Sequence, residues 1–202
     1  MYERKDRLYR KAKAQGLRSR AAFKLEDLDR GLLGRGHRVI DLGCWPGGWL
    51  QVASRRVGPG GRVVGIDTRA MAPLGLPNVR VLQGDVCRDD VIEDAVHELG
   101  GLADVVLSDM SPSLTGIRDR DEAQASELVR RALGVAERSL RPGGSFVCKI
   151  FMNGEYRELR DAVARRFEHV STTRSEATRK GSAELYLVAR GLVPAVDRIS
   201  PE

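Results

Sequence analysis

The sequence is poor in cysteine, lysine and aromatic residues, and it has no long apolar run. Its three cysteines, Cys44, Cys87 and Cys148, are odd in number and scattered. They form neither a disulfide framework nor a metal quartet; they fit a reducing compartment and read as small core residues. His37, His97 and His169 lack metal-ligand spacing, so no metal is expected. No apolar stretch approaches the roughly 20 residues that span a bilayer. The first residues, Met-Tyr-Glu-Arg-Lys-Asp-Arg, lack the apolar core of a secretory signal. A cytoplasmic protein with no membrane partner is therefore expected. Internal repeats and low-complexity tracts are also missing. What remains is 202 residues, 42% hydrophobic and 31% charged, an ordinary globular composition long enough to bury a core. One globular unit, monomeric, is the expectation.

The charge is unevenly placed. Residues 1–35 carry eleven Lys/Arg against five Asp/Glu, while residues 36–202 carry 23 of each, so the whole net charge of +6 sits in the first sixth of the chain. Residues 1–35 thus read as a basic extension and helix ahead of a domain spanning 36–202. Such a segment attracts polyanions, nucleic acid first among them, or serves only as a solubilising tail. Six of the 34 basic residues are lysines. Two of those, Lys24 and Lys149, lie outside basic clusters.

Ser19 can cap a helix running to about Leu33. Apolar strands and helices then alternate. Strands are expected at His37–Gly43, Arg62–Asp67, Val79–Asp85, Asp104–Asp109 and Ser145–Phe151. Helices are expected at Trp49–Val57, Asp89–Leu99, Asp121–Leu140, stopping before Arg141-Pro142-Gly143-Gly144, and Glu155–Phe167. His169–Thr173 and Glu184–Ala189 read as two final strands with no helix between them. The alternation predicts an α/β fold, a parallel sheet with helices on both faces and strand C-termini along one ligand-binding edge. A hairpin at the end makes the last strand antiparallel. About seven strands with the last antiparallel is the form of the class I S-adenosylmethionine-dependent methyltransferase fold, a Rossmann-like architecture.

Four strands end at or beside an aspartate: Asp41, Asp67, Asp85 and Asp109. Their carboxylates are expected at one edge, placed to accept hydrogen bonds from a ligand. The first is followed by Gly43-Cys-Trp-Pro-Gly47-Gly48-Trp49, whose glycines allow a sharp turn and a close backbone approach. The spacing G-x-x-x-G-G differs from the G-x-G-x-x-G of nicotinamide-binding domains and favours S-adenosylmethionine, which carries no pyrophosphate. Asp67 stands where a carboxylate meets ribose hydroxyls.

These residues resemble the FtsJ family of heat-shock ribosomal-RNA ribose 2′-O-methyltransferases. The likeness runs from about Gly16 to Gly191. It is carried by Leu17–Leu28 (LRSRAAFKLEDL), Val39–Gln51 (VIDLGCWPGGWLQ), Val81–Asp85 (VLQGD), Val106–Pro112 (VLSDMSP), Pro142–Phe151 (PGGSFVCKIF) and Arg179–Gly191 (RKGSAELYLVARG). The resemblance implies a Lys-Asp-Lys-Glu tetrad at Lys24, Asp109, Lys149 and Glu184. It implies an S-adenosylmethionine site built from Gly43, Gly47, Gly48, Trp49, Asp67, Asp85 and Asp109, with Asp67 on the ribose and Asp85 on the adenine amino group. It also implies a uridine ribose of large-subunit, 23S-type ribosomal RNA as substrate, within the large ribosomal subunit; near relatives modify tRNA or mRNA caps. Two positions depart from the pattern: Cys44-Trp45 replaces a small pair between the glycines, and Ser113 stands where bacterial members commonly carry Asn.

A ribose 2′-hydroxyl must lose its proton as it attacks a methyl group. A lysine accepts that proton only when neutral, a form favoured by burial and a second cation and opposed by carboxylates. Lys149 is assigned the role of base or of orienter of the hydroxyl, with Asp109 and Glu184 aiming it. A lysine in the apolar run Ser145–Phe151 needs a partner, and Asp109 ends the neighbouring strand. RNA contacts are expected from Arg4, Lys5, Arg7, Arg10, Lys11, Lys13, Arg18 and Arg20, where Tyr2 and Tyr9 can stack on bases, and from Arg165, Arg166, Arg174, Arg179 and Lys180. Competing readings are a nicotinamide-dependent oxidoreductase and a non-catalytic RNA-binding ribosome-assembly factor.

Overall fold

The chain is described by a computed structural model covering residues 3–179 and 181–194, with side chains from residue 7 onward. Tyr2, the side chains of Arg4 and Lys5, and Lys180 lie outside the described residues. Six helices and seven strands follow in the order α1 (Glu3–Ala14), α2 (Ala21–Leu28), β1 (Arg38–Leu42), α3 (Gly48–Val57), β2 (Arg62–Asp67), β3 (Val79–Gln83), α4 (Asp89–Leu99), β4 (Ala103–Ser108), α5 (Arg118–Ser139), β5 (Leu140–Phe151), α6 (Tyr156–Ala164), β6 (Phe167–Thr173) and β7 (Glu184–Leu192). The strands form one sheet in the order β3-β2-β1-β4-β5-β7-β6. β7 is antiparallel to both β5 and β6, and the other pairings are parallel, as the alternation and the terminal hairpin predicted.

Side chains alternate across the sheet, and each face carries its own core. Ile40, Leu42, Val64, Ile66, Phe146 and Cys148 pack with α4, α5 and α6. Val39, Val63, Val105, Leu107, Val147 and Tyr186 pack with α2 and α3. The same two-residue period puts Asp41, Asp67, Asp109, Lys149 and Glu184 on the α2/α3 face.

Several sequence expectations change at their boundaries; α5 starts at Arg118, ahead of Asp121, and β7 runs on to Leu192. Ser19 does not cap a helix to Leu33. Arg20 holds the N-cap position without a side-chain bond, and Ser19 Oγ is buried with no partner among the described residues. It lies against Gly48, where any Cβ would collide with it. The helix ends at Leu28 because Asp29 takes over locally, accepting the Leu33 N–H at 2.8 Å and Arg56 Nε at 2.8 Å. β5 begins at Leu140 rather than Ser145, since Leu140 already pairs with Ala103 ahead of a register shift that takes up the Pro-Gly-Gly segment. The helix expected over Glu155–Phe167 stops at Ala164; Phe167 opens β6 and stacks on Phe146, ring centres 6.0 Å apart. The basic N-terminus forms a helix, α1, anchored by buried Ala12 and by Lys11 Nζ lying 4.7 Å from the Phe23 ring centre. Of the three cysteines, Cys44 and Cys148 are buried, but Cys87 is exposed rather than a core residue. It sits on the turn after β3, where the Arg131 guanidinium donates to its sulfur.

Asp41 is the anomaly of the core. It is 1% exposed, and neither carboxylate oxygen has a hydrogen-bond partner among the described residues. Burial, reinforced by Asp109 and Asp67, pushes its carboxyl well above the usual carboxylate range. A raised acid makes the folded state hold a proton that the unfolded chain releases, so stability falls as pH rises above about 4. Asp41→Asn removes that titration. Its stability gain over the parent is expected to widen from pH 4 to pH 8, reaching about 1–3 kcal/mol. Parallel urea melts at these two pH values check it; a gain that is absent, or constant with pH, contradicts the assignment.

Candidate active site

The C-terminal ends of β1, β2, β4 and β5 open onto a cleft of about 530 Å³, in the size range of small-molecule sites. Its lining includes Gly43, Asp67 and Asp85 together with Lys24, Asp109, Lys149 and Glu184. These seven residues come from seven separate stretches of sequence and share one cleft. The sheet register explains how. Lys149 pairs with Tyr186 across β5 and β7, and Phe151 pairs with Glu184. Lys149, Tyr186 and Glu184 therefore project from the same face, and α2 lays Lys24 over them.

At the tetrad end, Lys149 Nζ donates to the Asp109 carbonyl at 2.7 Å, to Asp109 Oδ1 at 3.1 Å and to Ser111 Oγ. Three acceptors match the three donors of an ammonium. Lys24 Nζ lies 2.7 Å from Glu184 Oε1 and donates to the Tyr186 hydroxyl at 3.2 Å. Burial opposes ionisation of Glu184, but Lys24, with Lys149 and Thr178, outweighs it and holds the carboxyl below its usual range. Tyr186 is the residue that sequence reasoning passed over. Its hydroxyl donates to Asp109 Oδ1 at 2.7 Å, with Glu184 Oε1 at 3.3 Å, so one phenol joins the two lysine–carboxylate pairs. Burial, then Asp109 and Glu184, push its ionisation far up, and it stays a donor. The signal was available: Tyr186 is two residues beyond Glu184 on a strand, hence on the same face.

At the other end, Asp67 is 6% exposed and accepts backbone N–H groups from Trp45 at 3.0 Å and Arg69 at 2.9 Å. Asp85 accepts the Cys87 N–H at 2.9 Å, which, with the Cys87 side chain, Arg131 and Arg88, lowers its carboxyl. Gly43 has φ 73°, and a Cβ there would come within 2.7 Å of Met110 Cγ, so only glycine lets the turn pass this close to the cleft wall. Gly47, Gly48 and Trp49 do not line the cleft. Trp49 is 3% exposed, donates Nε1–H to the Ala21 carbonyl at 2.7 Å and packs on Tyr186 with ring centres 5.9 Å apart. Its place is behind the tetrad, as a strut between α2, α3 and β7.

The basic residues divide. Arg7, Arg10, Lys11 and Lys13 are exposed on α1. Burial and the charge of Arg179 lower Arg20, against the pull of Glu184. Arg18 is half-buried and tied to a neighbouring loop instead, donating to the carbonyls of Ala72 at 2.7 Å and Pro73 at 2.6 Å. Arg174 donates to the Ser182 carbonyl at 2.6 Å, and Arg166 pairs with Glu137 of α5. Among the described residues, no helix is long and apolar enough to cross a membrane, and no three His, Cys, Asp or Glu are grouped to hold a metal.

The FtsJ-like methyltransferase family model matches residues 17–192. Ribosomal RNA large subunit methyltransferase E of Methanothrix thermoacetophila is 44% identical over 195 residues, covering 96% of this chain and 75% of that protein. The protein of the same name from Methanobrevibacter smithii is 36% identical over 204 residues, covering 100% and 97% respectively. Among solved structures, one described as a ribosomal RNA methyltransferase from Plasmodium falciparum superposes with a TM-score of 0.75 at 29% identity, over 87% of this chain and 98% of that one. The matched region takes in every strand of the sheet and all four tetrad positions, and on this evidence the chain belongs to the FtsJ-like methyltransferase family.

Proposed function

We propose that this protein transfers the methyl group of S-adenosylmethionine to a ribose 2′-hydroxyl of large-subunit ribosomal RNA. The observation that carries the reading is the single cleft in which a row of strand-end carboxylates runs into the Lys24–Glu184 and Lys149–Asp109 pairs. The residues suit the cofactor. Its hydroxyls, ammonium and adenine amino group are all donors, and this edge offers acceptors: Asp67, Asp85, Asp109 and the orphaned, buried carboxyl of Asp41. Asp67, on the second strand, would hold the ribose hydroxyls and Asp85 the adenine amino group. Gly43 allows close approach, while Gly47, Gly48 and Trp49 act through the shape of the turn and its backing. Bound there, S-adenosylmethionine would supply an electrophilic methyl group.

The protein's own part is positioning and proton handling. Lys149, fixed by Asp109 and Ser111, would exchange one of its three bonds for the 2′-hydroxyl oxygen and hold it in line for attack. Asp109 anchors Lys149, and through Tyr186 it shares the field of the Lys24–Glu184 pair. As the oxygen–methyl bond forms, the hydroxyl proton passes to the Asp109 carboxylate, which can accept it while Lys149 remains a donor. A ready-made constellation of this kind contributes by being ordered before the substrate arrives. Lys149→Ala is expected to lower the single-turnover methyl-transfer rate by about 10²–10⁴-fold while leaving cofactor affinity unchanged. A rapid-quench assay with large-subunit RNA, paired with calorimetry of cofactor binding, checks both halves, and a near-normal rate would remove Lys149 from the mechanism.

The relatives' name, ribosomal RNA large subunit methyltransferase E, supports the substrate class, as does the exposed basic face of α1. Phosphates are gripped by α1, and the target ribose is steered toward Lys24. Because Ala12 anchors α1 in the core, the contribution is best probed without deleting the helix. The triple variant Arg7→Gln, Arg10→Gln, Lys13→Gln keeps Ala12 and removes three charges. If these residues touch phosphate, the slope of log affinity against log salt should flatten by about 2, at roughly 0.7 per contact, with cofactor affinity unchanged. An unchanged slope in a salt titration would mean that this face of α1 does not grip RNA.

A further inference from the structure

Trp45 does not behave as a tryptophan usually does. It sits between the glycines of the β1–α3 turn yet is 45% exposed, and it lines the cleft. Arg69, just beyond β2, lies over its ring with the guanidinium carbon 4.2 Å from the ring centre, a cation–π contact. Arg69 also lines the cleft. The two side chains meet because their backbones are tied to one carboxylate: Trp45 N–H donates to Asp67 Oδ2 and Arg69 N–H to Asp67 Oδ1. Arg69 Nε adds a longer contact to the same Oδ1 at 3.4 Å. An ionised carboxylate has about four acceptor positions. Two are taken by backbone donors, and the third is held by a side chain that is 63% exposed and free to give way. Asp67 thus keeps room for two hydroxyl donors directly beside the stacked pair.

We propose that Trp45 and Arg69 form a two-residue cover for the nucleoside half of the cofactor, closing over its ribose where Asp67 holds it. This rests on the reading of the cleft as a nucleoside-cofactor site. Trp45 supplies a broad apolar surface at little conformational cost. Arg69 braces that ring and yields its place on Asp67 to the incoming hydroxyls. The pair touches the part of the molecule common to the methyl donor and its demethylated product. It therefore contributes affinity to both and does not discriminate between them.

The test uses the full chain with S-adenosylmethionine and S-adenosylhomocysteine as probes. Trp45→Ala is expected to weaken both by about tenfold, in equal proportion, and Trp45→Phe by less than about threefold. Arg69→Ala should weaken both by a few-fold. RNA affinity should be unchanged in all three. Tryptophan emission gives an independent readout. The only other tryptophan, Trp49, is 3% exposed and packed at a tilt against Tyr186, so the change on titrating S-adenosylhomocysteine should be present in the parent and lost in Trp45→Phe. If Trp45→Ala fails to fold, Arg69→Ala affinities and the Trp45→Phe emission decide the matter. Parent-like affinity in Trp45→Ala, or a full emission change in Trp45→Phe, overturns the cover while leaving the cofactor site standing. Calorimetry showing no binding of either probe by the parent protein overturns the cofactor reading itself, and the cover with it.

Discussion

An ammonium in the interior of a sheet must be met on every side. Lys149 lies on β5 between Cys148 and Ile150, both buried, and is itself 6% exposed. Desolvating such a charge costs several kcal/mol unless acceptors replace water. The acceptors found here, the Asp109 carbonyl and carboxylate and the Ser111 hydroxyl, come from the stretch directly after β4. That requirement fixes the exit of β4, which in turn fixes Asp109, and Asp109 accepts the Tyr186 hydroxyl of the neighbouring β7. The site is arranged around this one obligation.

The arrangement carries two cations and two carboxylates joined through a phenol that stays protonated. Neither lysine–carboxylate pair stands alone: Tyr186 bonds to Asp109, approaches Glu184 and receives an N–H from Lys24. Buried polar groups become rigid when each donor and acceptor is satisfied, and a rigid cluster can hold an acceptor hydroxyl in place. Asp41 on β1 is the counterexample, a buried acid with no partner among the described residues. Its cost to the fold is of the kind proteins carry where a ligand has use for the group.

Much of this could be read from the order of residues. Hydrophobic alternation exposed each strand, and the aspartates closing the strands marked the ligand edge. Lys149 stood out because a lysine does not belong in an apolar run without a reason. Other features depended on contacts that no local pattern encodes. The stop of α2 at Leu28 follows from the Asp29 carboxylate bonding Leu33 N–H and Arg56. α1 was read as charge alone, since a single buried alanine is a faint apolar stripe. Arg18 looked like its basic neighbours, yet it spends its guanidinium on the carbonyls of Ala72 and Pro73. Trp49 was placed by resemblance on the cofactor side, whereas its indole N–H finds the Ala21 carbonyl behind the tetrad. For Arg18 and Trp49 the deciding partner lies far off in sequence, on another segment.

The bond from Lys24 to Tyr186 joins residues 162 positions apart, and the one from Lys149 to Asp109 spans 40. Contacts of such long sequence separation carry a large loop-closure cost and form late in folding. α2 must therefore meet β7, far along the chain, before the cluster exists at all. Reactive geometry appears only when the sheet is complete: until β7 pairs with β5, Lys24 has neither Glu184 nor Tyr186 to meet.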